Sequence, residues 1–250
     1  MSRFNLDISK NKYSILSMAN RKISFVPGEY YHIYNRGTNK GAIFSNQKDY
    51  DRFEKSLFVL NSTSGVKFSD VTPGLIWVFD RKETLVNIGA YCLMPNHFHI
   101  LIQAKTDKGA STFMQKLLTS YSMYFNIKYE RTGRLFEGTF KSEHVDNDRY
   151  LKYLFAYIHL NPIKIIQRDW REVGLRNSSS VKKYLDNYTH SSYIDYAMKK
   201  DRMQELILNK ESFPRYFQTR KSFRDFIEDW LTVSDVQVKP GHLGIINRTS

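Results

Sequence analysis

The stretch that most constrains this chain is Ala90 to Gln103, AYCLMPNHFHILIQ. Two apolar, β-prone runs meet at Pro95-Asn96, a pair that interrupts a strand and favours a tight hairpin connection. The first run begins upstream in TLVNIGAYCLM, and LIWVF from Leu75 has the same character, so extended structure is predicted from Leu75 onward. The second run opens with His97, Phe98 and His99. Side chains two apart on a strand share a face, so the imidazoles stand side by side while Phe98 points the other way. Such a pair can hold a divalent metal. It can equally be two histidines sharing hydrogen bonds, and two ligands do not complete a metal site.

The flanking segments supply the rest of a fold. Tyr30 to Tyr34, YYHIY, reads as a strand ending in the turn signal Asn35-Arg36-Gly37. Asn46 to Asn61 reads as a helix, with Tyr50, Phe53, Leu57 and Leu60 at helical spacing, and 62–74 as a loop insertion. Ser111 to about Tyr129 is a second helix, capped by Ser111, with Phe113, Leu117, Leu118, Tyr121, Tyr124 and Phe125 on its apolar side. Arg134 to Val145 looks extended around Gly138. Asp148 to Leu160 is a third helix, capped by Asp146 or Asn147 and stopped before Pro162. This order predicts an α+β fold: a ferredoxin-like (RRM-like) antiparallel sheet with helices packed on it. Beyond Ile165 the chain turns polar, with short helical patterns near Arg202 to Leu208 and Ser222 to Trp230. The expected organisation is an N-terminal arm over 1–27, a central domain over 28–165, and a helical accessory segment with a flexible tail over 166–250.

Charge narrows the function. Lys and Arg number 38 against 25 Asp and Glu, a formal +13, and aromatics reach 15%. That field suits a polyanion, and interleaved cations and rings suit single-stranded nucleic acid. There is no run of about 18 apolar residues, so no spanning helix is expected. The first residues, MSRFNLDISKNKYS, lack the apolar stretch of a secretory signal, from which a cytoplasmic protein without membrane partners is expected. The single Cys92 excludes an internal disulfide framework and a cysteine-rich zinc module.

A third metal ligand has to come from another element. Tyr157 and Asn161 are four apart, hence on one helical face; Asn161 can offer an amide oxygen, with the Tyr157 phenol one turn away. Tyr153 lies on the same stripe and competes with Tyr157, whereas His159 points around the helix. With 17 tyrosines in the chain, a packing role for either is the plain alternative, and Asn161-Pro162 also serves as a helix stop. Arg36, Lys40, Arg131, Arg134, Lys141 and Lys164 flank these motifs and are candidates for phosphate contacts; each alone is equally a solvated surface charge.

Together with AYCLMPNHFHILIQ, the segments YHIYNRGTNKGAIF (Tyr31 to Phe44), GRLFEGTFKSEHV (Gly133 to Val145), AYIHLNPIK (Ala156 to Lys164) and YTHSSY (Tyr188 to Tyr193) resemble the single-tyrosine HUH transposases of the REP-associated and insertion-sequence type. The resemblance covers roughly residues 28 to 195. It implies that His97 and His99 are the metal pair, Tyr157 the nucleophile and Asn161 the third ligand, with Mg²⁺ or Mn²⁺ as the metal. It implies nicking and rejoining of single-stranded DNA at hairpin-forming sites through a 5′-phosphotyrosine, and a homodimer as an assembly known for the family. His190 departs from the pattern, standing where relatives usually carry Trp. The competing readings are a domesticated, non-catalytic nucleic-acid-binding protein on the same fold, and an unrelated metal hydrolase using His97 and His99.

Overall fold

The hairpin centred on Pro95-Asn96 forms. In the computed structural model, which describes residues 24–199 and 201–232, β2 (Val86–Met94) pairs antiparallel with β3 (His97–Ala104), and Met94 faces His97 across the turn. On its other side β3 pairs with β1 (Tyr30–Arg36), which in turn pairs with β4 (Lys141–Val145). The sheet is antiparallel throughout, in the order β2-β3-β1-β4. Helix α1 (Gln47–Val59) connects β1 to β2, and α2 (Gly109–Lys128) connects β3 to β4. This is the α+β, ferredoxin-like arrangement expected from the element order. The expected arm lies outside the described residues up to position 23, as does the expected tail from 233 on.

Strand alternation sorts the two faces of the sheet. Ile33, Tyr91, Leu93, Phe98, Ile100 and Ile102 share a buried cluster with Phe53 and Leu57 of α1 and Phe113, Leu117 and Tyr121 of α2. Fully burying side chains of this size contributes about 1.5–3 kcal/mol each, so this layer carries much of the stability. On the other face Ala90, Cys92, Met94 and Leu101 meet Leu154, Tyr157 and Ile158 of α3 (Asp148–Leu160). Helix α3 starts as predicted: the Asn147 side chain accepts a hydrogen bond from the Tyr150 backbone N–H, and Asp148 sits where the helix dipole favours a carboxylate.

Three expectations need correction. The LIWVF run is not a strand but part of a 3₁₀ turn, Pro73–Val78. Proline fixes the first turn, no strand among the described residues pairs with it, and only Ile76 is buried while Leu75 and Val78 face solvent. Helix α2 starts at Gly109 rather than Ser111, because Thr106 Oγ1 accepts the Gly109 N–H. A Cβ at Gly109 would come within 2.4 Å of the Leu85 carbonyl oxygen, so glycine alone fits this close approach. The segment 134–145 is strand only from Lys141; ahead of it, Leu135 and Phe136 plug into the core and Gly37 bridges Phe136.

The later residues are helical, as expected, and pack around α3. They form α4 (Ile163–Ile166), α5 (Trp170–Val173), α6 (Ser178–Asn187), α7 (Tyr193–Ala197) and α8 (Arg220–Thr232). The helical pattern near Arg202 is a 3₁₀ turn, Met203–Ile207. Ala156 and Leu160 of α3 share a cluster with Trp170, Leu185, Ile194, Phe223 and Ile227. The same stretch covers the outer edge of β2: Leu93 N–H donates to the His190 carbonyl at 2.9 Å and Asn209 N–H to the Ile88 carbonyl at 2.9 Å. An edge strand presents unpaired backbone groups, and here the chain satisfies them itself. His190 stacks on Tyr50, ring centroids 3.7 Å apart.

Candidate active site

His97 and His99 lie on the face of β3 turned towards α3. Register places Tyr34 of β1 opposite His99, and period-two alternation adds His32 to the same face. Helix α3 lays Tyr157 across this group. Its ring centroid is 5.4 Å from that of His99 and 5.8 Å from that of His32, edge-on in both cases. The His97 and His99 rings are 5.1 Å apart and nearly perpendicular. One chain therefore brings the phenol and the imidazole pair together without help from a second copy.

Hydrogen bonds orient both imidazoles in the same sense. His97 Nδ1 is 2.7 Å from Asn96 Oδ1, and His99 Nδ1 is 2.9 Å from His32 Nε2. With Nδ1 engaged on each ring, Nε2 is the nitrogen left for the cleft that both residues line. Burial, followed by the positive charges of Lys164 and Arg36, pushes His97 down to about 4. Burial, followed by the neighbouring His32 and His97, holds His99 well below the ordinary imidazole range. Both rings are neutral at pH 7, the state a metal requires. Asn161, 2% exposed, donates Nδ2–H to the Tyr157 carbonyl at 2.9 Å, and its amide Oδ1 is the atom it could offer a cation.

Among the described residues no three His, Cys, Asp or Glu side chains form a metal-binding group. The donors present are two imidazoles and an amide oxygen. That set fits a divalent cation whose remaining positions are filled by oxygens of a bound phosphate, and it lacks the closed thiolate or histidine cage of a structural zinc site.

Tyr157 is 3% exposed, and burial pushes its phenol up to about 12. The chief opposing influence is Arg171, whose guanidinium carbon lies 5.1 Å from the ring centre. Arg171 also donates to the Tyr153 hydroxyl at 3.3 Å. Tyr157 lines the cleft, whereas Tyr153 is not among its lining residues.

The cleft has a volume of about 1080 Å³. Arg36, Lys40, Lys141 and Lys164, all candidates from sequence, line it beside His97, His99, Tyr157 and Asn161. Arg131 and Arg134 do not; Arg131 sits over the Phe125 ring at 5.4 Å. Sequence reasoning passed over Arg168 and Arg171, which also line the cleft, because nothing in a polar stretch after a helix marks a cation as inward-facing. It also passed over His32, although strand parity with Tyr34 in YYHIY was a usable signal.

Residues 79–161 match the family described as Transposase IS200 like. This stretch, about a third of the chain, is similar to IS200-like transposases. It begins before the hairpin, contains His97, His99 and Tyr157, and ends on Asn161. The match supports a transposase-type, DNA-processing function. Among solved structures, a REP-associated tyrosine transposase bound to a REP hairpin is 12% identical with a TM-score of 0.45, over 71% of this chain and 84% of that one. The tRNA(His) guanylyltransferase of Saccharomyces cerevisiae is 13% identical with a TM-score of 0.33, over 79% of this chain and 88% of that one. No curated protein matches the chain. No helix among the described residues is long and apolar enough to cross a membrane.

Proposed function

We propose that this IS200-like chain is a metal-dependent nicking and joining enzyme for single-stranded DNA, working in the cytoplasm at hairpin-forming sites. The observation that carries the reading is the Tyr157 ring, 5.4 Å from His99 inside a cleft lined by cations. His97, His99 and Asn161 would hold a Mg²⁺ or Mn²⁺ ion, which when bound polarises the scissile phosphate as a Lewis acid. Arg36, Lys40, Lys141, Lys164 and Arg168 neutralise neighbouring phosphates and fix the strand in register.

A phenol of ordinary pKa about 10 is a weak nucleophile at neutral pH, and burial makes Tyr157 weaker still. The guanidinium of Arg171 favours the phenolate. Tyr157 Oη attacks the phosphorus in line and the P–O3′ bond breaks. The phenol gives up its proton, and the departing 3′-oxygen ends as a hydroxyl. The DNA is left attached through a 5′-phosphotyrosine, a phosphodiester in place of the one broken, so another 3′-hydroxyl can reverse the step and join strands.

The test is incubation with single-stranded hairpins from the DNA flanking the gene, with Mg²⁺ or Mn²⁺. A protein–DNA adduct stable to denaturant is expected. Tyr157→Phe should abolish it while hairpin binding persists, and His97→Ala or EDTA should lower it at least about 100-fold. Binding without adduct under every metal condition would instead indicate the non-catalytic module. Metal-dependent cleavage that survives Tyr157→Phe would indicate a hydrolase.

A further inference from the structure

We infer that His32 and Glu143 are positioning residues that set the tautomer and orientation of His99 for a cation at its Nε2; this rests on the two-histidine site proposed above. His32 is 1% exposed in the middle of β1. Its Nε2 lies 2.9 Å from His99 Nδ1, and the ring planes differ by only 19°, the geometry of an in-plane hydrogen bond.

One of those nitrogens must carry the proton. If His32 Nε2 donated, neutral His99 would carry its own proton on Nε2 and could not bind a metal there. If His99 Nδ1 donates, its Nε2 lone pair faces the cleft and His32 accepts. Neutral His32 then holds its proton on Nδ1. That atom is buried with no hydrogen-bond partner, and the nearest carboxylate is Glu143 Oε2 at 3.9 Å. Glu143 is itself fixed by two phenols: Tyr34 donates to Oε1 at 2.9 Å and Tyr150 to Oε2 at 3.1 Å. The carboxylate therefore favours the only arrangement that leaves His99 open to a cation. Metal-bound histidines commonly use such partners, and losing one costs about 10–100-fold in metal affinity.

The experiment titrates Mn²⁺ alone into the full chain, without DNA, and follows free Mn²⁺ by electron paramagnetic resonance. Wild type should bind one ion and His97→Ala should not. His32→Leu, which fills the space but cannot accept a hydrogen bond, should bind about 10–100-fold more weakly with unchanged circular dichroism. His32→Gln, whose amide oxygen can accept, should recover most of that loss, which a purely space-filling role would not allow. Glu143→Ala should weaken binding several-fold. Wild-type affinity in folded His32→Leu would overturn the inference; should that variant not fold, wild-type affinity in Glu143→Ala would. If wild type binds no Mn²⁺, or His97→Ala binds it equally, the two-histidine site itself fails and the positioning role with it.

Discussion

Glu54 shows what one buried carboxylate does to a fold. It is 1% exposed in α1, reached by the Gln204 amide at 3.1 Å and the Tyr91 hydroxyl at 3.5 Å. Burial pushes its pKa up to about 7, against 4.5 for the free side chain, with Gln204 and Arg202 only partly compensating. The folded state thus holds a proton that the unfolded chain releases. Stability from this group is fully present below pH 4.5 and falls as pH rises to about 7, by up to about 3 kcal/mol at 1.36 kcal/mol per unit. Glu54→Gln should therefore be more stable than wild type by about 1–3 kcal/mol in urea unfolding at pH 8, and about equal at pH 4. At the same scale, the candidate site was only partly readable. His97 and His99 showed through period-two spacing, and Tyr157 and Asn161 through helical spacing. Which of Tyr153 and Tyr157 faces the cleft depends on how α3 sits over the sheet, and spacing along one helix does not fix that. His32 acts through a register partner on another strand, and Arg171 through the return of α5, so neither has a local signature.

Among the elements, β2 is the one whose setting depends on distant sequence. It is an edge strand, with an irregular register at Gly89 between Ile88 and Ala90. A Cβ at Gly89 would lie 2.5 Å from the Phe213 ring, whose far end closes against the backbone there. Gly89→Ala should destabilise the protein by about 1–3 kcal/mol in urea unfolding, with partial recovery when Phe213→Leu makes room. The hairpin, α1 and α3 were legible because strong periodicity ended at recognisable caps and turns. LIWVF misled because an apolar run of five residues does not reveal whether a partner strand exists. Leu135 and Phe136 looked extended yet serve as core plugs, a tertiary role no local pattern carries.

For the whole molecule, the formal charge of +13 acquires a direction. Arg36, Lys40, Lys141, Lys164, Arg168 and Arg171 line one cleft against only Asp169 and Glu172. Composition announced a polyanion partner, but only the fold shows which cations converge. Each phosphate contact with single-stranded DNA contributes about 0.7 to the slope of log affinity against log salt. Removing exposed Arg168 as Arg168→Ala should flatten that slope by about this amount in a fluorescence-anisotropy titration, and weaken all hairpins alike. An unchanged slope would mean that the strand runs elsewhere.

The most direct test of the central claim is to digest the covalent protein–DNA adduct and locate the modified residue by mass spectrometry. A nucleotide phosphate is expected on Tyr157 and on no other tyrosine. A phosphate on Tyr153, or no tyrosine adduct from a cognate hairpin with metal present, would contradict it.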